Sequence, residues 1–537
     1  MNWGPIIGCG LLGFGVVFLL VPLILRTCQR ANLCRDRDFH HADVTPVPRF
    51  GGLALVGALL AVEALVAIVF PALRSRIPGR AAVILSSLAM FAIGFWDDLK
   101  PLGAKRKLAA QVLICVAVCL AGIEIETLKI PFTERIVPLH GWGSVITILW
   151  LVGITNLINL IDGVDGLAGG IALMLMTLLV YVGYQNGGFV FLTAGMSGAL
   201  LAFLYFNFPP ARIYLGDGGA YFLGFQIGIF SIIGSHKGSI FAALIAPLFV
   251  LALPIVDTWL AILRRGLRGL PVFRPDRRHI HHRLLSVGFS RRQVVLLLYG
   301  LTLVFLGMGF VALWSRGQFI PVLAGLALLV LLLCAGRLSF SREWFAVGRT
   351  LGNSLAMRRE VQYALCLTSW LKMEGDRCDS LDDLYGDFVC AAGRLGFSSV
   401  RLTRTDGERT WQRPCSCSNE RSFRLDLHDG QAGTLELRAP SCMAARTCSR
   451  SALGREASQP AVCLHDDQAL FEIMSELVAE GWAKAATRSR AAGGPLRFNS
   501  HLPAVYGAPR RPSRQPFPAT STARGSLRLG DDSVVAS

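Results

Sequence analysis

The sequence predicts an all-α polytopic membrane protein of about eleven transmembrane helices, followed by a C-terminal cytoplasmic α/β domain. Three observations carry this. Of 537 residues, 53% are hydrophobic and only 17% charged, against about 25% charged in an average soluble domain. The apolar residues fall in runs of roughly 17–25, the length that crosses a bilayer core as a helix. After Arg337 the composition becomes that of a soluble domain.

The runs lie at about 3–25, 51–71, 79–96, 107–123, 143–161, 166–185, 188–206, 218–235, 239–263, 292–313 and 318–335. The first lacks the basic start and small-residue cleavage site of a signal peptide, so it reads as a true span. Basic loops tend to stay in the cytoplasm. Loops 1 (Arg26, Arg30, Arg35, Arg37, Arg49), 3 (Lys100, Lys105, Arg106, Lys107) and 9 ("RRGLRGLPVFRPDRRHIHHRLLSVGFSRR") share one side if spans alternate. That places the N-terminus outside and these loops, with the C-terminal region, in the cytoplasm. The fourteen cysteines are then free thiols in a reducing compartment. "CSC" at 415–417 with Cys442, Cys448 and Cys463 lacks the paired spacing of a zinc site.

Four polar clusters fall on the cytoplasmic side. In "FWDDLKPLGAKRK", Asp97 and Asp98 end the third span beside cations. Adjacent carboxylates repel unless a proton or cation lies between them, and Mg²⁺ uses one or two carboxylates plus substrate phosphates. In "TNLINLIDGVDGLAGG", Asn156, Asn159, Asp162 and Asp165 recur every three residues. The two amides can share a helix face, while Gly163 and Gly166 set the two acids on a turn. In "RIYLGDGGAYFLGF", Asp217 enters the eighth span, as a helix cap or a metal ligand. In "RPDRRHIHHRL", arginines surround His279, His281 and His282, which favours an anion-binding loop over zinc, with Arg283 a phosphate fork. The residues thus point to metal-assisted phosphate chemistry at one membrane face.

A secondary transporter is the rival class, because acids in spans can mark ion pathways. Glu63 sits within "LLAVEALVAIVF", where a hydrogen bond to a neighbouring helix is the simpler reading. Transporter acids should gather near mid-membrane, and no internal repeat is evident.

The motifs "TPVPRFGGLALVG", "FWDDLKPLGAKRKLAAQ", "NLINLIDGVDGLAGG", "YLGDGGAYFLGF" and "RRHIHHRLL" occur in the order found in the polyprenyl-phosphate N-acetylhexosamine-1-phosphate transferase superfamily, which residues 1 to about 335 resemble. The "HIHHR" form resembles its GlcNAc-1-phosphate branch rather than the branch using UDP-MurNAc-pentapeptide. The resemblance implies Mg²⁺ or Mn²⁺, a UDP-N-acetylhexosamine donor and an undecaprenyl phosphate acceptor, in a multi-pass protein of the bacterial inner membrane. It implies membrane lipid as a partner, no nucleic acid, and leaves a homodimer open. By the same resemblance Asp217 with Asn159 holds the metal, and Asp162 and Asp165 bind nucleotide or metal. Asp97 is the candidate base, Asp98 supports it, and His279 serves the reaction. Arg49, Asn156, Asn159, His281, His282 and Arg283 bind substrate.

The membrane domain is therefore read as 1–336, a cytoplasmic α/β domain as 337–485 and a disordered basic tail as 486–537. In the second, "LAMRREVQYALCLTSWLKM", "DSLDDLYGDFVCAAGRLGF" and "DDQALFEIMSELVAEGWAKAA" read as helices. "SSVRLTR", "SFRLDLH" and "GTLELRA" read as strands, the last two joined by the hairpin signal "DGQA". The order resembles small sensor domains of the GAF type, and a regulatory role is expected. The tail is rich in Pro, Arg, Ser and Gly.

Overall fold

The computed structural model describes residues 3–31, 47–69, 79–129, 136–186, 189–234, 247–268, 284–285, 288–315, 319–337, 359–375, 377–378, 380–404, 407–413, 420–427, 433–440, 468–493 and 505–506. Two compact units emerge: Met1–Gly266 with Pro271–Arg349, and Leu267–Leu270 with Thr350–Ser537.

In the first unit the apolar runs become helices α1 (Trp3–Arg30), α2 (Gly51–Val69), α3 (Arg80–Leu99), α4 (Ala104–Leu120), α5 (Trp142–Ile161), α6 (Leu167–Asn186), α7 (Val190–Asn207), α8 (Gly216–Gly234), α9 (Ala252–Arg268), α10 (Arg291–Trp314) and α11 (Ile320–Arg337). Seven of them, α1, α2, α3, α5, α6, α7 and α10, are long and apolar enough to cross a membrane. Large apolar side chains such as Leu19, Leu113, Leu120 and Leu149 remain exposed on the bundle surface, as a lipid-facing surface requires. A short hairpin of β1 (Thr127–Lys129) and β2 (Ile136–Pro138) joins α4 to α5.

Helix α8 is apolar on every side and nearly all of it is buried, which places it at the centre of the bundle. Helices α2, α3, α5 and α6 pack around it. Because successive helices reverse direction, the ends of α3, α5 and α7 meet the starts of α2, α4, α6 and α8 at one end of the bundle. Every acidic cluster of the sequence analysis that the structure describes lies there. Toward the opposite end, Glu63 of α2 accepts two hydrogen bonds from Arg80, the first residue of α3, at 2.7 and 2.8 Å. Arg80 is only 7% exposed. Arg80, at the edge of an apolar run, is thus a buried ion-pair partner, and Glu63 serves helix packing.

The second unit carries a five-stranded sheet, β3 (Ser399–Arg404), β4 (Gly407–Gln412), β5 (Glu420–Leu427), β6 (Gly433–Pro440) and β7 (Val505–Tyr506), in the order β5-β6-β3-β4-β7. Its helices are α12 over 359–374, α13 (Leu381–Arg394) and α14 (Gln468–Gly493). Ser380 starts α13 by accepting from the Asp383 N–H. Tyr385 packs edge-on and Phe388 at a tilt, both of α13, against Trp482 of α14, and inward residues of the sheet, Val400, Leu402, Trp411, Leu435 and Leu437, share that core. The expected β5–β6 hairpin forms, with Leu427 opposite Gly433. Strand β4, unexpected from the sequence, pairs with β3 from Ser399↔Gln412 to Arg404↔Gly407. Helix α14 runs to Gly493, past the expected end near 485.

Candidate active site

The site is built from helix ends. Asp97 and Asp98 close α3, and their neighbours divide them into different tasks. Asp98 Oδ1 accepts the Asp217 N–H and Oδ2 the Gly218 N–H, each at 3.0 Å. One helix's carboxylate thereby caps the first turn of another, where the helix dipole also favours negative charge. The contact is close because residue 216 is glycine: φ is +76°, and a Cβ would collide with the Arg49 carbonyl and the Asp98 carboxylate. Arg49 itself is held by strand-like pairing of its segment with the turn before α8, Tyr214 N to Pro48 O at 2.9 Å and Gly51 N to Tyr214 O at 2.9 Å.

Asp97 turns the other way. Its Oδ1 accepts the Leu102 N–H and its Oδ2 accepts from Lys107 Nζ, both at 2.7 Å. Lys107 also donates to Asp217 Oδ2 at 2.9 Å. The ammonium therefore ties α3, α4 and α8 together at a partly buried point, with Lys107 21% and Asp217 30% exposed.

Asn156 and Asn159 lie in the last turns of α5, as expected, and α5 ends at Ile161 so that Asp162 and Asp165 fall on the turn to α6. Two bonds fix that turn from the α7–α8 connection. Asp165 is buried and accepts the Ala211 N–H at 3.1 Å; Asn207 accepts the Gly166 N–H at 3.0 Å and donates to Ile213 O at 2.8 Å. From α10, Tyr299 donates to Gly166 O at 2.5 Å, and Arg292 donates to Pro209 O at 2.8 Å. The Tyr299 ring lies so close over Gly170 that a Cβ there would sit inside it.

Asp162 is half-buried. Burial, then the negative charges of Asp217, Asp98 and Asp165, push its carboxyl well above the usual range, with the Arg49 charge opposing them. Around Asp162, among the described residues, three acids thus outweigh the Arg49 charge, which is the electrostatic condition for recruiting a cation. The carboxylates do not form a ready-made cage. Among the described residues, the one group of three acidic or thiol ligands within 4.8 Å of one another is Glu374, Cys378 and Asp387, in the second unit. Hard oxygen donors arranged as one or two carboxylates and an amide suit Mg²⁺ completed by substrate phosphates. Asp217 and Asn159 with Asp162 fit that donor set.

The structure brings together Arg49, Asp97, Asp98, Asn156, Asn159, Asp162, Asp165 and Asp217, drawn from four stretches of sequence. His279, His281, His282 and Arg283 lie outside the described residues. Sequence reasoning missed Lys107, Gln111, Asn207 and Tyr299 as parts of this site. A helical spacing could have found the first two: of Lys105, Arg106 and Lys107, only Lys107 shares a face with Gln111, four residues on.

Known proteins are similar to this chain in sequence. The family described as Glycosyl transferase family 4 matches residues 80–235, which contain all of the described site residues except Arg49 and Tyr299. A Bacillus subtilis (strain 168) protein named "Probable undecaprenyl-phosphate N-acetylglucosaminyl 1-phosphate transferase" is 32% identical over 292 residues, covering 54% of this chain and 80% of that one. The chain belongs to this glycosyl transferase family. The Mycobacterium tuberculosis (strain H37Rv) "Decaprenyl-phosphate N-acetylglucosaminephosphotransferase" is 34% identical over 292 residues, covering 49% and 71% of the two chains. Within the family, a Staphylococcus aureus (strain Newman) "Phospho-N-acetylmuramoyl-pentapeptide-transferase" is 27% identical over 324 residues, 57% of this chain and 97% of that one.

Proposed function

We propose that this chain transfers an N-acetylhexosamine-1-phosphate, namely GlcNAc-1-phosphate, from its UDP-sugar to undecaprenyl phosphate, releasing UMP. The observation that carries this reading is the gathering of Asp97, Asp98, Asp162 and Asp217 around Lys107 and Arg49 at one end of an apolar bundle. That end is where a water-soluble diphosphate and a lipid phosphate can meet. The printed activities of the Bacillus and Mycobacterium relatives support the same donor and acceptor classes. All eleven helices are read as spans of a bacterial inner-membrane protein, with the site on the cytoplasmic side. The product would initiate a cell-envelope polysaccharide. The second unit, with helices packed on a sheet, is read as a regulatory domain of the GAF type.

In the reaction a lipid phosphate oxygen attacks the sugar-bearing phosphorus and the bond to UMP breaks, leaving a polyprenyl-diphospho-sugar. Mg²⁺ or Mn²⁺, held by Asp217 and Asn159 with Asp162, would neutralise diphosphate charge. Lys107 keeps Asp217 at the mouth of α8, and Asp98 fixes the first turn of that helix. Both Asp97 oxygens already hold donors, so its role is to anchor Lys107 rather than to act as the base expected from the family. A phosphate monoester with second pKa near 6 is already mostly dianionic, and positioning and electrostatics dominate phosphoryl transfer.

The test is purified full-length protein with radiolabelled UDP-GlcNAc, undecaprenyl phosphate and Mg²⁺. A lipid-linked sugar diphosphate formed in step with UMP is the expected result. Turnover with UDP-MurNAc-pentapeptide instead would move the chain to the Staphylococcus branch, and no lipid product from any UDP-N-acetylhexosamine would overturn the reading. Among the described residues, the acidic clusters gather at one bundle end and Glu63 is paired to Arg80, which favours a transferase over a transporter.

A further inference from the structure

Beneath the Lys107 bridge the site continues into the bundle as a pair of amides. Gln111 follows Lys107 by one helical turn on α4 and is fully buried; Asn156 precedes Asn159 by three residues on α5. Asn156 Nδ2 donates to Gln111 Oε1 at 2.7 Å and to Val152 O at 2.8 Å. These bonds fix which way both amides face. A carbonyl such as Val152 O needs a donor, so Asn156 must present Nδ2, and Gln111 must in turn present Oε1 to it. That leaves Gln111 Nε2 buried with no acceptor in the protein.

An orphaned buried donor is costly, and such groups are rare without a reason. Here the reason lies in its place. Lys107 and Gln111 share one face of α4, and Asn156 and Asn159 share one face of α5, so the orphan donor sits on the bilayer-interior side of the carboxylates. Among the described residues it finds no acceptor there. An acceptor-only ligand atom near a lysine matches it, and a phosphoryl oxygen is such an atom. We propose that Gln111 Nε2 donates to a phosphoryl oxygen of the bound substrate, with Asn156 holding the Gln111 amide in the orientation that makes this possible. This rests on the transferase reading above. The oxygen belongs to the lipid phosphate or to the nucleotide diphosphate, and the experiment separates them.

Gln111→Met keeps the shape and removes the donor; Gln111→Glu keeps the acceptor toward Asn156 and its volume, and sets negative charge against the phosphate. Full-length protein in detergent is assayed for transfer with each substrate varied in turn. Its thermal stability is measured alone, with undecaprenyl phosphate, and with UDP-GlcNAc. Both variants should lose about 10- to 100-fold in kcat/KM, the range for one hydrogen bond to a charged acceptor. The loss should appear in the KM of one substrate, and the stabilisation by that substrate alone should vanish. A KM effect confined to undecaprenyl phosphate assigns the lipid phosphate; one confined to UDP-GlcNAc assigns the diphosphate. Wild-type-like kcat/KM with both ligand-induced shifts intact overturns the inference while leaving the transferase reading standing. Absence of transfer by the wild type overturns the transferase reading itself. Where Gln111→Met does not fold, Gln111→Glu, which keeps the bond to Asn156, carries the test.

Discussion

Lys107 and Asp217 stand 110 positions apart in the chain, and Lys107 Nζ lies 2.9 Å from Asp217 Oδ2. The same nitrogen is 2.7 Å from Asp97 Oδ2, so one cation sets the spacing of two carboxylates on different helices. Replacing it leaves two partly buried acids facing each other without compensation, a costly arrangement. Lys107→Met is expected to lower kcat/KM by about two orders of magnitude, the scale for loss of one preorganised charge at a reacting phosphate. Lys107→Arg should recover only part, because a planar fork cannot reproduce the two contacts of a compact ammonium. Initial rates on purified protein decide this; near wild-type rates for Lys107→Met would remove it from the site.

Asp98 and Asp217 should respond differently to the same chemical change. Asn in place of Asp98 keeps one acceptor of the two that hold the Asp217 and Gly218 N–H groups. Asp98→Asn is therefore expected to lower stability by about 1 kcal/mol, as loss of a helix cap does, and to lower activity as well. Asp217→Asn removes charge at the metal position with no cap bond broken and leaves an amide oxygen to accept from Lys107, so activity should fall with a smaller drop in melting temperature than in Asp98→Asn. Paired thermal unfolding and rate measurements check both; a greater stability loss in Asp217→Asn would reverse the assignment.

Tyr299 reaches the site from α10 through Gly166 O, on the turn that carries Asp162 and Asp165. Tyr299→Phe keeps the ring over Gly170 and deletes one hydrogen bond worth about 1 kcal/mol. The expected effect is a roughly fivefold rise in the Mg²⁺ concentration or UDP-sugar KM needed for half-maximal rate, with little change in kcat. A Mg²⁺ titration and a donor titration measure it, and unchanged values in both would confine Tyr299 to packing.

The sequence placed these elements well where two signals coincided. Asn156, Asn159, Asp162 and Asp165 combine a helical repeat with glycine punctuation, and α5 indeed stops at Ile161. The polar ends of apolar runs likewise located Asp97, Asp98 and Asp217. What stayed hidden was pairing between distant segments. Nothing in "KRK" says which cation turns inward, and nothing near Asn207 or Tyr299 announces that both bind the backbone of Gly166. The pairing of Arg80 was equally hidden because its partner, Glu63, lies on another helix. Strand β4 was missed since Glu408, Arg409 and Gln412 dilute its apolar signal. The reason for a charge there is the buried Asp382–Arg409 pair at 2.8 Å, which only the fold reveals.

In the second unit, Glu374, Cys378 and Asp387 crowd together. Burial and the charges of Glu374 and Asp383 push Asp387 up to about 6, and burial with the charges of Asp387, Glu374 and Asp383 pushes the Cys378 thiol up to about 12. A carboxyl whose pKa rises on folding favours the folded state in its protonated form. That stabilisation is complete below about pH 4, the ordinary range, and is lost as pH rises through about 6. Local stability around α13 should therefore be greater at pH 5 than at pH 7.5, by at most about 2 kcal/mol. Asp387→Asn, neutral at every pH, should flatten this dependence. Hydrogen exchange of α13 in the full chain, corrected for the intrinsic pH effect, measures it; equal protection at both pH values would show that Asp387 is ionised as freely as in the unfolded chain.

The last expectation concerns the division of labour between the two units. Every described residue of the candidate site lies before residue 300, and the bonds that hold it come from α3, α4, α5, α8, α10 and the α7–α8 connection. The second unit has its own core, built around Trp411, Trp482, Tyr385 and Phe388, and the bonds named above that hold the site all lie within the first unit. A chain ended after Arg349 should therefore insert in membranes and transfer sugar phosphate in detergent or vesicles at a rate within about tenfold of the full protein. The full chain, by contrast, should respond to ligands or partners of the second unit to which the shortened chain is blind. Membrane fractionation followed by the radiolabelled transfer assay tests this. A shortened chain that inserts normally yet is dead, and regains turnover when residues 350–537 are supplied separately, would make the second unit part of the catalytic enzyme.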